Sequence, residues 1–409
     1  MQHSITRIAS LVLAFGFFIG CSVLPFNNRP ADTASLDYQQ LQERLTTLNR
    51  QLSASPNNAD LYHQKGNVLH ELAQRTEEAN RREDLYQQMN TALRRAKTLY
   101  EKENAAVGID QVDELLKVSW SNEHNQGVEI LQNDSTLVSR NFQHAATHFQ
   151  NAITIIPDSV ISYKMKAQAH YRNHNYREAI ATLEEARRQI DPLPASVMEQ
   201  LGFLYLESNQ NEKAVELYEK AESISEQSLN LIHGLANAYI KAGQHQKAVE
   251  LLTILVENEP DNIIYQQSRG IELYLLGASR IEELVSRYQA GQQPDENLEE
   301  TADSLFSEAE IQLEEARRLN RESEEIQKAL AQFYHNTASK YMKLQKTARQ
   351  DSAEIGEKIR YYLRQSIPLT EQLAESNPDR EEWWKQLYQA YAFLGMTDKA
   401  DQVKEKANL

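Results

Sequence analysis

Three successive stretches of 34 residues, 160–193, 195–228 and 229–262, repeat one design. Each pairs two amphipathic helices about a short polar turn, Asn173-His174-Asn175 in the first. A lone helical pair cannot bury its apolar stripe, so a fixed period of this kind means that copies stack and share a core. This constrains the fold more than length does. A chain of 409 residues would ordinarily suggest about two or three globular domains, whereas a repeat grows along one axis. Within the copies, small residues recur at fixed places: Ala167, Ala179 and Ala186, then Gly202, Ala214 and Ala221, then Ala236 and Ala248. Large apolar residues stand beside them, as Tyr163 and Leu183, then Leu201, Tyr205 and Tyr218, then Leu235, Tyr239 and Leu252. The small residues let two helices approach, and the aromatic ones fill the space alongside. Pro260 ends a second helix and opens the next copy.

This pattern resembles the tetratricopeptide repeat, which places small residues at positions 8, 20 and 27 and large apolar ones at 4, 7, 11 and 24. His170 replaces the aromatic at 11 in the first copy, and Leu255 the small residue at 27 in the third. The resemblance implies an all-α solenoid, a right-handed superhelix of helix–turn–helix units. Extending the register finds further units, each with an insertion. Pro56, Tyr62, Gly66, Leu69, Leu93 and Ala96 mark one; Ala145, Phe149, Ala152 and Pro157 close another. Gly270 with Ala309, Leu313 and Ala316, then Leu330, Ala331 and Tyr334, then Trp384, Leu387, Tyr391, Gly395 and Ala400 mark the rest. About eight units occupy residues 56–409. The insertions keep a spacing of three and four, as in Leu298, Ala302, Leu305 and Ala309, or Ile281, Leu284 and Tyr288. Both helices of such a unit are therefore expected to lengthen and to project as an antiparallel hairpin, with similar lengthening at 104–155 and 324–376. Leu41, Leu45, Leu48 and Leu52 predict a capping helix within 36–55.

The first residues follow a different grammar. Arg7 precedes an apolar run from Ile8 to Ile19, then Gly20 and Cys21. This run of 12 residues falls short of the ~20 a spanning helix needs, so the segment reads as a secretory signal. Phe18-Ile19-Gly20-Cys21 resembles a bacterial lipobox, with Phe18 standing where Leu is usual. The resemblance implies cleavage of 1–20 as a signal peptide and acylation of Cys21, including palmitate. Ser22, in place of Asp, implies onward transport to the outer membrane, facing the periplasm. Residues 21–35 carry Pro25 and Pro30 without helical period and read as a lipidated tether.

Composition removes several functions. Net charge is −16, which argues against nucleic acid, since phosphate recognition needs a basic face. One Cys excludes an intramolecular disulfide and any multi-thiolate metal site. No phosphate-binding Gly loop, nucleophile elbow or HExxH is present, so no catalytic residue, metal or cofactor is expected. His144 and His148 have metal-ligand spacing on one helix, but no third ligand is near, and the register puts them on its outer side as a surface pair. His170 is expected to be a packed aromatic substitute, and paired glutamates such as Glu184-Glu185 and Glu299-Glu300 to lie on solvated faces. Trp384 takes a core position, and Trp383 is expected to cover the helix end.

The candidate site is the concave face, built from positions 2, 5, 6, 9, 12 and 13 of each first helix. In the regular copies these include Lys164, Gln168 and Tyr171, then Gln200 and Phe203, then Asn230, His233, Asn237 and Lys241. Amides, aromatics and a few charges suit an extended peptide or a helix. The two-carboxylate clamp of chaperone-binding tetratricopeptide domains is matched only in part by Lys164, Gln168 and Gln200, and it fails at Asn230 and Gly234. The expectation is a non-enzymatic, lipid-anchored scaffold of a bacterial envelope that binds envelope proteins or peptides and can self-associate. A glycan or nutrient receptor is the alternative, and an enzyme with an unrecognised site a more distant one.

Overall fold

A computed structural model describes residues 33–132, 139–222, 228–292, 296–348 and 353–406. Cys21 and the signal segment lie outside the described residues. Among the described residues there are seventeen α-helices, one 3₁₀ turn and no strand. No described helix is long and apolar enough to cross a membrane. The chain divides into two compact units, whose described parts are 33–217 and 218–406.

In the first unit, α1 (Tyr38–Ala54), α2 (Ala59–Gln74), α3 (Glu83–Glu103), α4 (Ala106–Gln132), α5 (Ser139–Ile155), α6 (Val160–Arg172), α7 (Tyr176–Gln189) and α8 (Ala195–Glu207) follow one another as hairpins, and α9 (Asn211–Glu222) begins here. The 3₁₀ turn Ala79–Arg81 joins α2 to α3. Helix starts are set locally. Asp37 accepts from Gln40 N at 2.8 Å while Gln40 Oε1 accepts from Asp37 N at 2.9 Å, a reciprocal capping box. Asn58 caps α2 through Leu61 N at 3.0 Å.

The second unit holds α10 (Leu229–Lys241), α11 (His245–Asn258), α12 (Ile263–Gln289), α13 (Glu296–Leu319), α14 (Glu324–Ala348), α15 (Ala353–Ser376), α16 (Glu381–Phe393) and α17 (Thr397–Lys404). Four of these, α12 to α15, run 24 to 27 residues. The expectation that the lengthened helices project as a separate hairpin is not met: their ends pack on one another. Phe306 of α13 meets Tyr341 of α14 edge-on at 5.8 Å, and Tyr341 stacks on Tyr362 of α15 at 6.1 Å. Lys358 of α15 reaches Asp303 of α13 at 2.7 Å, and Lys340 of α14 reaches Glu282 of α12 at 2.6 Å. The two long hairpins thus lie against each other and bury a second aromatic layer, because each alone would expose its apolar stripe.

Tight inter-helix turns share one backbone device. His174, Asn209, Gly243 and Gly395 all have positive φ, between 57° and 73°. The residue after each returns a hydrogen bond to the helix it leaves: Asn175 to His170 O, Gln210 to Tyr205 O, Gln244 to Tyr239 O and Met396 to Tyr391 O, at 2.8–2.9 Å. This closes the first helix and sets the angle of the second.

Close packing rests on missing Cβ atoms. A Cβ on Gly66 would lie 2.3 Å from Leu93, one on Gly127 2.8 Å from the Phe149 ring, and one on Gly270 2.7 Å from Leu313. Beside Gly234 the Tyr218 ring is 2.5 Å from the same point. Between successive hairpins a second pattern recurs. A first-helix tyrosine donates to a glutamate of the preceding second helix, while a lysine eight residues further along lies over its ring. Tyr205 pairs with Glu184 under Lys213, Tyr239 with Glu219 under Lys247, and Tyr391 with Glu371 under Lys399. Ammonium-to-ring distances are 4.9–5.5 Å. Each ring–lysine contact at a partly exposed site contributes about 0.5–1 kcal/mol. Gly234→Ala should lower stability by about 1–3 kcal/mol through overpacking, read as a lower denaturant midpoint at unchanged slope. An unchanged midpoint would show that the Tyr218 contact is not tight.

Candidate functional site

The concave positions fall into two strips, one in each unit. In the first unit, Tyr171 of α6 meets Tyr176 at the start of α7 edge-on at 5.6 Å and Phe203 of α8 edge-on at 5.5 Å. All three rings are half-buried, as is Gln168. Lys164 and Glu199 lie further along the strip. Burial lowers the lysine's pKa and raises the glutamate's, and the charge of each partly offsets the effect on the other. Gln200 is not on the open strip as expected: it is buried, and its Nε2 donates to Lys164 O at 3.3 Å. It braces α8 against α6.

In the second unit, Asn237 and His233 stand one turn apart on α10 and are hydrogen-bonded at 2.8 Å. Burial lowers the pKa of His233, with Glu259 opposing, and its ring centroid is 5.5 Å from that of Tyr265. Asn230 and Lys241 are exposed toward the two ends of the helix. A small notch opens between α12 and α14, lined by Ile271, Tyr274, Ala329, Gln332, Phe333 and Asn336. Burial pushes the Tyr274 hydroxyl up to about 12, with Glu282 adding to the shift. Sequence reasoning did not single out these residues, although counting from 263 and 324 puts Ile271, Tyr274, Gln332 and Asn336 at positions 9, 12, 9 and 13.

The largest departure concerns His148. It does not lie on an outer surface with His144, which is exposed; it is buried and shares Glu123 Oε2 at 2.8 Å. Glu123, on α4, is fully buried and also accepts from Arg82 Nη1 at 2.8 Å, Tyr86 Oη at 2.8 Å and Asn151 Nδ2 at 3.1 Å. Burial alone would raise its pKa, but the bonds from His148 and Arg82 together hold the carboxyl below its ordinary value. Glu123 is one of six charged residues on α4, and its place in the sequence does not distinguish it from those that face solvent. Trp383 likewise is buried rather than covering a helix end, and the indole N–H of Trp384 donates to Pro378 O at 3.0 Å. His170 is buried, as expected for a packed aromatic substitute.

Two Ser–His contacts have the side-chain make-up of a nucleophile–base pair. His70 Nδ1 lies 2.7 Å from Ser119 Oγ and His124 Nδ1 3.3 Å from Ser162 Oγ. Both serines are fully buried, and Ser119 Oγ already donates to Leu115 O at 2.7 Å. Burial brings His124 down to about 4. These contacts pack helices and offer no access to a substrate. Among the described residues, no group of His, Cys, Asp and Glu side chains is placed to hold a metal ion.

Models of the tetratricopeptide repeat match residues 158–227 and 205–270. That stretch consists of tetratricopeptide repeats, and the fold is an all-α solenoid of this type. Comparison with curated proteins gives no match. Among solved structures, MamA MSR-1 is 19% identical over 52% of this chain and 98% of its own, with a TM-score of 0.35. YrrB, described as a tetratricopeptide protein with an unusual peptide-binding site, is 13% identical over 49% and 95%, with a TM-score of 0.36. Human IFIT1, as a dimer with m7Gppp-AAAA, is 15% identical over 91% and 95%, with a TM-score of 0.34. Similarity at this level says nothing of what this chain binds.

Glu123 generates a pH prediction. Its folded pKa lies below its unfolded one, so the stabilisation it provides is complete above the ordinary carboxylate value and is lost as pH falls through the folded pKa. Melting temperature should therefore drop below about pH 4.5. Glu123→Gln should cost about 3 kcal/mol at neutral pH by leaving Arg82 buried without its charge partner, and should flatten that acid limb. An acid limb identical in the variant would place the titration elsewhere.

Proposed function

We propose that the protein is a non-enzymatic, lipid-anchored adaptor of the bacterial cell envelope, binding protein or peptide partners along its first-helix strips. One observation carries the binding part. Side chains of mixed chemistry, the Tyr171–Phe203 contact and the His233–Asn237 pair, stand half-exposed at the repeat positions that line the inner face. Aromatic rings supply apolar anchors, and amides supply donors and acceptors for a peptide backbone. The match of residues 158–270 to tetratricopeptide repeats supports the same reading. A sugar receptor built on open tryptophan platforms is disfavoured, because Trp383 and Trp384 are buried and the Trp120 indole N–H is held by Ser159 and Ser162.

The anchor rests on the sequence around Cys21. Each buried methylene of an acyl chain contributes about 0.8 kcal/mol, so two or three chains hold a protein at a bilayer. The location that follows is the periplasmic face of an outer membrane, where the tether lets the repeats reach envelope partners or a second copy.

Photo-crosslinking side chains placed at Phe203 and Asn237 should capture a defined protein in cells, whereas capture only from outer-face positions such as Glu250 would remove the strips as the binding surface. Cys21→Ser should abolish labelling by a fatty-acid analogue and release the protein from membranes; undiminished labelling would rule out Cys21 as the acylation site.

A further inference from the structure

We infer that the aromatic cluster Tyr171–Tyr176–Phe203, together with Glu207, is a recognition site for a lysine or arginine side chain of a bound peptide. This rests on the adaptor reading and names the chemistry of its partner. The fold supplies its own template. At Tyr205 the ring alone carries Lys213, which donates to Gln210 Oε1; at Tyr239 and Tyr391 a ring and a glutamate together hold a cation, Lys247 lying 3.2 Å from Glu219 and Lys399 3.2 Å from Glu371. Ring quadrupole and carboxylate charge act together there, the ring face attracting the ammonium and the carboxylate lying close by.

Tyr171, Tyr176 and Phe203 supply the rings and Glu207 a carboxylate, without the cation. Tyr171 touches both other rings edge-on, at 5.6 and 5.5 Å, and His174 flanks Tyr176 at 6.4 Å. Glu207 follows Phe203 by four residues on α8, so the two share one face of the helix. Its charge acts on the Tyr171 hydroxyl, whose pKa is raised by burial first and by Glu207 next. Among the described residues, no lysine or arginine lies over these three rings, and no hydrogen bond or ion pair holds Glu207. The nearby Arg172 is spoken for: it donates to Leu131 O at 2.9 Å and lies 4.8 Å from the Phe142 ring. All four residues are half-exposed, so a side chain can reach them. A half-buried carboxylate on the Phe203 face of α8, close enough to act on Tyr171, is costly to leave without a counter-charge, and a basic side chain satisfies it and the rings together. Charge complementarity selects the occupant, since an acidic residue would meet Glu207 and the negative ring faces.

The test uses the purified full-length protein in detergent against an array of random-sequence peptides. Bound peptides should be enriched in lysine and arginine. Glu207→Gln and Phe203→Leu, which keep polarity and bulk, should each weaken the basic peptides about five- to thirty-fold, and Glu207→Lys should turn the preference toward aspartate and glutamate. Circular dichroism of each variant should match the parent. Peptides bound without basic preference, or a preference that none of the substitutions moves, would overturn the cation site and leave the adaptor reading standing. No peptide bound at all would overturn both.

Discussion

The stacked helices depend on small residues meeting large ones across their interfaces, within a hairpin or between one hairpin and the next. Gly66 against Leu93, Gly127 against Phe149, Gly234 against Tyr218 and Gly270 against Leu313 leave no room for a methyl group. Because the small side chain fixes which faces touch, it also fixes helix rotation, and rotation decides which residues point inward at positions 5, 9 and 12. The binding strips are thus a by-product of the packing rule. A change that rotates α8 to relieve a clash would carry Phe203 and Glu207 away from Tyr171.

Polar chemistry then secures what packing has placed. The left-handed turn residue after each short first helix closes its last carbonyls, and the tyrosine–glutamate–lysine contacts tie one hairpin to the next. The lengthened helices of the first unit meet around a charged centre at Glu123, while those of the second meet around Phe306, Tyr341 and Tyr362. Burying a carboxylate is expensive, and four donors from two separate segments, Arg82 and Tyr86 at the start of α3 and His148 and Asn151 on α5, offset that cost. The result is a junction that tolerates little change in any one partner.

Repeat periodicity made the fold readable from residues alone, because its signal is local and recurs: Ala179, Ala214 and Ala248 announce the same contact at the same spacing. Long-range pairs left no such trace. His148 and Glu123 are separated by 25 residues and belong to different helices, so nothing in the spacing of His144 and His148 shows that one of them turns inward. Gln200 sits at an inner-face position, yet its amide folds back to the α6 backbone; position sets the direction of a side chain, not what it bonds to. The notch at Ile271, Tyr274 and Gln332 follows from register but is hidden in sequence by the insertion that lengthens its unit. Tyr171 and Phe203 were legible as inner-face residues, whereas the cation preference of their cluster depends on Glu207 and on which tyrosines already carry a lysine.

Hydrogen exchange with and without array-selected peptides asks most directly whether the inner face is where this protein works. The account predicts slowed exchange in α6, α8 and α10 and in the first turn of α7, which carries Tyr176, with the second helices α9 and α11 unchanged. Protection of α9 and α11 with the first helices unaffected would contradict it.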